Sequence, residues 1–267
     1  MTGRITSRSN DVVKRLRKFR RRSYRDENGV FAVEGVNLLQ EAVGAGVTVR
    51  ELVFVESRSG DADLIRSMQD EEVSSFEISD GLMDWISGVV TSQGIIGIMD
   101  QVDVPLGELE GGELLLLLIA DQVRDPGNLG ALMRITDAAG ADGFVMTPGC
   151  VDMYNPKVVR SAAGAHFHMP CVRDIGMDDL RRALRRAGVL MLGLDPRGER
   201  CYLDVEWTEP CAVVVGNEAF GIAEEDRGLL DGTVHIEMPG RAESINVASA
   251  AAVVLFEAIR QRGTSSP

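Results

Sequence analysis

From Leu114 onward the chain alternates short, continuously apolar runs with stretches of helical periodicity. The apolar runs span 114–120, 144–147, 189–193 and 212–216, and the mixed run 234–237 reads as a fifth strand. The helical patterns span 129–139, 178–187 and 247–260. A strand that is apolar at every position, rather than at every second one, must be covered on both faces. Such strands separated by helices predict a parallel sheet between two helical layers. Gly140 and Gly188 stand where helices commonly end in a left-handed residue. The 114–120 run is far shorter than the roughly 20 apolar residues that cross a bilayer, so it reads as a buried strand and no membrane role is expected.

The first hundred residues carry a weaker α/β pattern. Strand-like runs fall at 30–33, 52–55 and 95–99, and helical patterns at 37–43, 63–69 and 80–86. Ahead of them, residues 1–25 hold ten arginines and lysines against one acid, Asp11, in a chain whose net charge is −13. Val12, Val13, Leu16 and Phe19 recur at helical spacing, with Ser9 or Asn10 available as cap. One face of this helix packs. The other presents Arg15, Arg17 and Lys18, followed by Arg21 and Arg22. A merely solvated helix normally mixes signs, so a basic end on an acidic body favours contact with a polyanion such as RNA. Residues 101–112, rich in turn formers and acids, read as a linker. It separates a small RNA-binding α/β domain over 1–100 from a parallel-sheet domain over 113–267. The tail, 263–267, reads as disordered.

No metal site is expected. Cys150, Cys171, Cys201 and Cys211 form no Cys-x-x-Cys pair and read as reduced thiols. His166 and His168 alternate along an apparent strand, but no third ligand accompanies them, and packing or hydrogen bonding is the preferred reading. No signal-peptide pattern opens the chain, so a cytoplasmic location is expected.

Ligands of open parallel sheets bind beyond the carboxyl ends of the strands. Three polar, glycine-marked segments fall there. Segment 121–134 runs through Asp125-Pro126-Gly127 into a helix, with Asn128 placed as a cap and Arg134 within reach of the loop. Segment 213–222 ends a buried strand in the turn Gly216-Asn217-Glu218, which exposes one carboxylate. Segment 236–246 leads through Ser244-Ile245-Asn246 into a helix opening with small residues. The pattern Gly-x-Gly-x-x-Gly is absent, which argues against a nicotinamide or flavin site.

Each segment alone describes many α/β proteins. In this order they resemble the SpoU/TrmH branch of the SPOUT RNA methyltransferases. Asn128-Leu129-Gly130-Ala131 through Arg134 to Ala138-Ala139-Gly140 is similar to that family's first motif. Gly216-Asn217-Glu218 with Gly221 is similar to its second, and Ser244-Ile245-Asn246-Val247-Ala248 to its third. Phe31-Ala32-Val33-Glu34-Gly35 and Ser92-Gln93-Gly94-Ile95-Ile96-Gly97 resemble the substrate-binding domain often fused ahead of it. Two departures stand out: Glu237 where the family usually has proline, and Ala219 where it often has glycine.

The resemblance implies a parallel-sheet domain closed by a deep trefoil knot, a homodimer, and S-adenosylmethionine bound in the knot. Gly216, Ile236 and Ile245 would line the cofactor, with Leu194 and Met238 nearby. The implied reaction is methyl transfer to a ribose 2′-hydroxyl, of 23S ribosomal RNA ahead of transfer RNA. The family assigns activation of that hydroxyl to Arg134. A guanidinium of pKa above about 12 is a poor base. The expectation is therefore that Arg134 binds the adjacent phosphate and stabilises the developing alkoxide, while Asn128, Glu218, Ser244 and Asn246 position it and the ribose. Arg160 is either a second phosphate ligand or a surface residue of a helix. Arg181, Arg182, Arg185 and Arg186 read as a solvated face. Two readings compete: a non-enzymatic RNA-binding or ribosome-assembly protein on the same fold, and a different nucleotide-using α/β enzyme. The intact set Asn128, Arg134, Glu218, Ser244 and Asn246 favours the methyltransferase.

Overall fold

A computed structural model describes residues 4–71, 73–87, 91–109 and 115–264. They form two compact units. One gathers the residues through Val102 together with Tyr154–Phe167, and the other holds Asp103–Met153 and the residues from His168.

In chain order the first unit contains α1 (Asp11–Lys18), α2 (Arg22–Asn28), β1 (Val30–Glu34), α3 (Val36–Gly44), β2 (Val49–Phe54), α4 (Ala62–Asp70), β3 (Ser74–Glu77), α5 (Asp80–Ser87) and β4 (Ile95–Asp100). Its sheet runs β1-β4-β2-β3, with only β2 and β3 parallel. Asn10 starts α1 by accepting the Val12 N–H at 2.9 Å. Val13, Leu16 and Phe19 are then buried with Val30, Val53 and Ile98, which leaves the basic residues on the outer side of the helix. The two stretches that carry the amino-terminal resemblance meet: Glu34 Oε1 accepts from Ser92 Oγ at 2.6 Å and from the Gln93 N–H at 3.2 Å.

The remaining elements are β5 (Leu116–Ala120), α6 (Pro126–Ala138), β6 (Gly143–Met146), α7 (Pro156–Ala162), β7 (Cys171–Val172), α8 (Met177–Arg186), β8 (Leu190–Leu194), β9 (Arg200–Cys201), β10 (Cys211–Val215), α9 (Glu224–Arg227), β11 (Gly232–His235) and α10 (Val247–Thr264). All but α7 belong to the second unit. Helix α7 packs in the first unit, in a segment anchored by a ring cluster. Phe31 and Tyr154 lie 4.6 Å apart between centroids, and Phe31 and His166 lie 6.2 Å apart. His166 is therefore not on a strand. Ala165–Phe167 form a 3-10 turn, and the ring of His168 bonds Asp137 at 2.9 Å. A turn destroys the period of two that would have put both imidazoles on one face.

Seven strands form the second sheet in the order β7-β6-β5-β10-β8-β11-β9, every pair parallel. Leu117, Ile119, Ala212 and Val214 are buried with Leu180 and Leu184 of α8. Their neighbours Leu118 and Val213 point to the opposite face, where α6 packs on β5 and α10 on α6 and β10. Residues 103–109 lie on this unit rather than free: Arg173 Nε bonds Asp103 at 2.9 Å, and Leu109 is buried. Residues 110–114, at the end of the expected linker, and 265–267 of the expected disordered tail lie outside the described residues. Gly263 and Thr264 continue α10. Gly140 (φ 64) and Gly188 (φ 71) take the left-handed conformation just beyond α6 and α8. Burial pushes the thiols of Cys150 and Cys211 up to about 11 and that of Cys171 to about 12. Among the described residues, no helix is long and apolar enough to cross a membrane, and no His/Cys/Asp/Glu group could hold a metal ion.

Trp207, fully buried, fastens α10. Its backbone N–H donates to Gln261 Oε1 at 2.9 Å, its indole N–H to the Tyr202 carbonyl at 2.8 Å, and its own carbonyl accepts from Arg262 Nε at 2.9 Å. Truncating a buried aromatic costs about 3–5 kcal/mol. Trp207→Ala is expected to lower unfolding stability by that amount, read as a shift in the urea midpoint without a change in slope.

Candidate active site

The registers place the carboxyl ends of four strands side by side. Ala120 pairs with Val215, Val215 with Leu194, and Leu194 with Val234. The three glycine-marked segments and the loop after β8 therefore emerge along one edge of the sheet.

The first loop leaves β5 through Gln122, whose φ of 53° is rare outside glycine. Two bonds hold it there: its N–H donates to Thr147 Oγ1 at 3.1 Å, and its carbonyl accepts from Asn217 Nδ2 at 3.0 Å. Asp125, not Asn128, caps α6. Its Oδ1 accepts the Asn128 N–H at 2.9 Å, and Pro126 takes the first helical position. The Asp-Pro-Gly start was available as a signal for this boundary. Because the cap is Asp125, the Asn128 side chain is free to point at the neighbouring loops.

Glu218 is the junction. Its Oε1 accepts from Asn128 Nδ2 and from the Asp125 N–H, both at 3.0 Å, and its Oε2 from the Arg124 N–H at 3.3 Å. Asn128 Oδ1 in turn accepts from Asn246 Nδ2 at 2.9 Å. Asn246 caps α10 by accepting the Ala248 N–H at 2.9 Å. One hydrogen-bonded chain thus joins all three motifs through Glu218, Asn128 and Asn246. Partial burial opposes charge on Glu218. The Asn128 amide and the backbone N–H groups of Glu218, Asp125 and Arg124 outweigh it and hold the carboxyl below its ordinary value.

The turn beneath Glu218 is equally fixed. Asn217 and Gly221 exchange backbone bonds at 2.9 and 2.8 Å, and Asn217 Oδ1 accepts from the Ala219 and Phe220 N–H groups at 3.0 and 3.3 Å. The left-handed residue is Gly221 (φ 70), so alanine at 219 meets no backbone strain. A Cβ on Gly216 would collide with the backbone of Gly221 and Ile222, so glycine there lets the turn close on its own strand. Asn217 was not singled out from sequence, because an asparagine in a glycine turn has no distinguishing pattern.

Ile236 and Met238 line an open cleft of about 460 Å³ with Pro196, Pro239, Ala242 and the carboxylates of Glu237 and Glu243. Its size and its mixed walls, apolar at Ile236 and Met238 and polar at His235, suit a nucleoside-sized ligand, and two acids suit one that carries positive charge. Glu237, in place of the family's proline, adds one of them. Leu194 ends β8 just before the adjoining loop, where an ion pair between Asp195 and Arg227 ties the loop to α9. Ile245 is 39% exposed and Ser244 is exposed, with neither in the polar chain. Arg134 is exposed on α6 and has no partner among the described residues. Six positions along a helix is a rotation of roughly 240°, so Asn128 and Arg134 leave α6 in different directions.

The basic candidates lie in the first unit. Arg15 pairs with Glu51 at 2.5 Å and Arg22 with Asp26 at 3.3 Å. Arg17 lies over the Trp85 ring at 3.9 Å and Lys18 over Tyr24 at 5.5 Å. Arg21 is exposed. Arg160 is on α7, lining a small apolar cavity with Arg20, Leu16 and Phe19 rather than joining the polar chain.

Residues 115–256 match the SpoU rRNA Methylase family, and residues 10–97 match the MRM3-like substrate binding domain. The chain is 32% identical to the 23S rRNA (uridine(2479)-2′-O)-methyltransferase of Streptomyces viridochromogenes, over 97% of this chain and 92% of that protein. It is also 32% identical to the Bacillus subtilis 23S rRNA (guanosine(2553)-2′-O)-methyltransferase RlmP, over 94% and 97%. The crystal structure of AdoMet-bound rRNA methyltransferase from Sinorhizobium meliloti superposes with a TM-score of 0.88 at 29% identity, covering 97% of each chain.

A depressed carboxyl adds stability above its unfolded pKa and loses it as pH falls through its folded pKa. Wild type should therefore exceed Glu218→Gln in stability by a constant margin from pH 7 to about 4.3, and the margin should shrink below that. Urea unfolding at stepped pH measures it, and a margin flat to pH 3 would contradict the assignment.

Proposed function

Because this chain belongs to the SpoU rRNA methylase family, we propose that its sheet-edge site transfers a methyl group from S-adenosylmethionine to a ribose 2′-hydroxyl of ribosomal RNA, in the 23S molecule. The observation that carries this reading is the chain Glu218–Asn128–Asn246, which locks the three family motifs into one rim. Both curated relatives compared above bear names that specify 23S rRNA, which supports that target over transfer RNA.

Ile236 and Met238, with Leu194, Gly216 and Ile245, would hold the cofactor, and Glu237 and Glu243 would add negative charge to the same cleft. Bound there, it supplies an electrophilic methyl on a sulfonium. The protein's task is to present the hydroxyl oxygen in line and to favour its alkoxide. Asn128 and Asn246 are already engaged with each other and with Glu218, so their contribution is a pre-set rim rather than free donors. Ser244 is the exposed hydroxyl available to the ribose. Arg134, permanently charged and without a partner among the described residues, supplies phosphate binding and alkoxide stabilisation.

A second copy of the chain belongs to this reading. Arg134 leaves α6 in a different direction from Asn128 and takes no part in the polar chain of the rim, and a partner can bring it to the other copy's site. Phe256, 50% exposed on α10, and Ile245 offer apolar surface for that contact. The trefoil knot belongs to it as well. After β11, beyond β8, the chain returns to α10, which lies on α6 and β10. The exposed basic residues Arg17, Lys18, Arg21 and Arg22, with Arg15 and Arg160, are the RNA-contacting set of the first unit. The same reading takes the reaction to be cytoplasmic, supported by the Bacillus subtilis relative.

The test combines calorimetry with S-adenosylmethionine and methyl transfer to 23S rRNA from a strain lacking the gene, the modified ribose being mapped by primer extension. Arg134→Ala is expected to lower turnover about 100-fold or more while S-adenosylmethionine still binds. Full turnover in that variant would remove Arg134 from the mechanism, and no cofactor binding at millimolar concentration would remove the reading itself.

A further inference from the structure

Phe220 is 84% exposed, more than any other large apolar side chain among the described residues. A scattered exposed apolar residue needs no explanation. What sets this one apart is how it is held. The Asn217 carboxamide accepts its N–H, the Asn217–Gly221 bridge closes the turn around it, and the α-carbon of Gly216 backs directly on that turn. Two residues earlier, Glu218 binds the Arg124 N–H and Asn128. The ring therefore stands on a preorganised backbone at the rim of the site. The polar atoms of this turn are largely consumed by its own bonds. What remains to meet a ligand is the phenyl ring and the exposed Arg124 guanidinium, which has no partner among the described residues.

We propose that Phe220 is a stacking platform for an unpaired base of the RNA next to the reacting ribose, with Arg124 on a neighbouring phosphate. This rests on the RNA 2′-O-methyltransferase reading above. Proteins that read RNA commonly target single-stranded loops and bulges, whose unstacked bases can be splayed out. Aromatic rings are the side chains on which splayed bases stack, and they accept any base. The ring thus anchors the nucleotide without choosing its identity. Arg124, whose backbone N–H is bonded to Glu218, adds an exposed guanidinium to the same rim, which suits a polyanion. A rim that carries Arg124 and Glu218 does not suit the core of a protein interface, from which charged residues are depleted.

The experiment measures, on full-length protein with 23S rRNA, the KM for RNA, the Kd for S-adenosylmethionine and the sedimentation of Phe220→Ala, Phe220→Leu and Phe220→Trp. Loss of one base stack is expected to raise the RNA KM of Phe220→Ala about 5- to 100-fold, with cofactor Kd within about twofold of wild type, which also shows that the variant is folded. Phe220→Trp should restore the KM and Phe220→Leu should not. Arg124→Ala should reduce the salt dependence of RNA binding. An unchanged KM in Phe220→Ala overturns the proposal, as does rescue by leucine equal to that by tryptophan. A shift of Phe220→Ala to a smaller sedimenting species also overturns it and assigns the ring to contact between copies. If wild type methylates no RNA, the underlying reading fails and the platform with it. If wild type is active and Phe220→Ala matches it, only the platform fails.

Discussion

Glu218 is an acid at the rim of a parallel sheet, and the shape of the site follows from how its two oxygens are used. They accept from Asn128 and from the backbone of Arg124 and Asp125 on the loop after β5. Through Asn128 they are linked to Asn246 at the start of α10. Asn128 lies 90 positions from Glu218 and 118 from Asn246. Loops so distant in sequence can share side-chain bonds only because parallel strands deliver their carboxyl ends to one edge. The bonds lie at a solvent-accessible rim, so each adds only a modest net stability, and their main effect is to fix where the loops sit relative to one another.

This arrangement divides the work of the site. The polar chain is spent on internal order, and little of it remains to grip a substrate. The open cleft around Ile236 and Met238 lies apart from that polar chain. Charge for the phosphate and the developing alkoxide must come from groups outside the chain, and Arg134 and Arg124 are the exposed guanidinium groups on α6 and the loop leading into it. The Asn217 turn follows the same logic. Its bonds hold the backbone of Ala219, Phe220 and Gly221 in place, so the backbone that carries the ring loses little further freedom on meeting a ligand.

Five strands of the second sheet were legible because β5, β6, β8, β10 and β11 lie within or beside runs of apolar residues. β7 and β9, two residues each, are too short to show a period. In the first unit β3 is Ser-Ser-Phe-Glu and α2 is almost wholly polar, so neither carries a hydrophobic pattern. Arg25 shows why charge counting in the basic segment overstates the free cations: it is buried, donating to the Phe19 carbonyl at 2.5 Å. Arg15 is likewise engaged by Glu51. The pairing of His166 with Phe31, 135 positions away, belongs to a segment, Tyr154–Phe167, that is part of the first unit although the chain on either side of it belongs to the second, and no local pattern announces such a partner.

The sequence by itself determined the parallel sheet, the helices on its two faces and the three segments at its edge. These depend on apolar periodicity and on Gly, Pro and Asn at positions of special backbone geometry, all of which are local. It also narrowed the polar candidates to Asn128, Glu218, Ser244 and Asn246. Only the tertiary structure decided which of them touch. It made Asp125 the helix cap and left Asn128 to bridge two loops. It kept Ser244 out of the chain and sent Arg134 from α6 in a different direction. Those outcomes depend on strand register and helix rotation, which fix distances between residues a hundred positions apart and which no local pattern encodes.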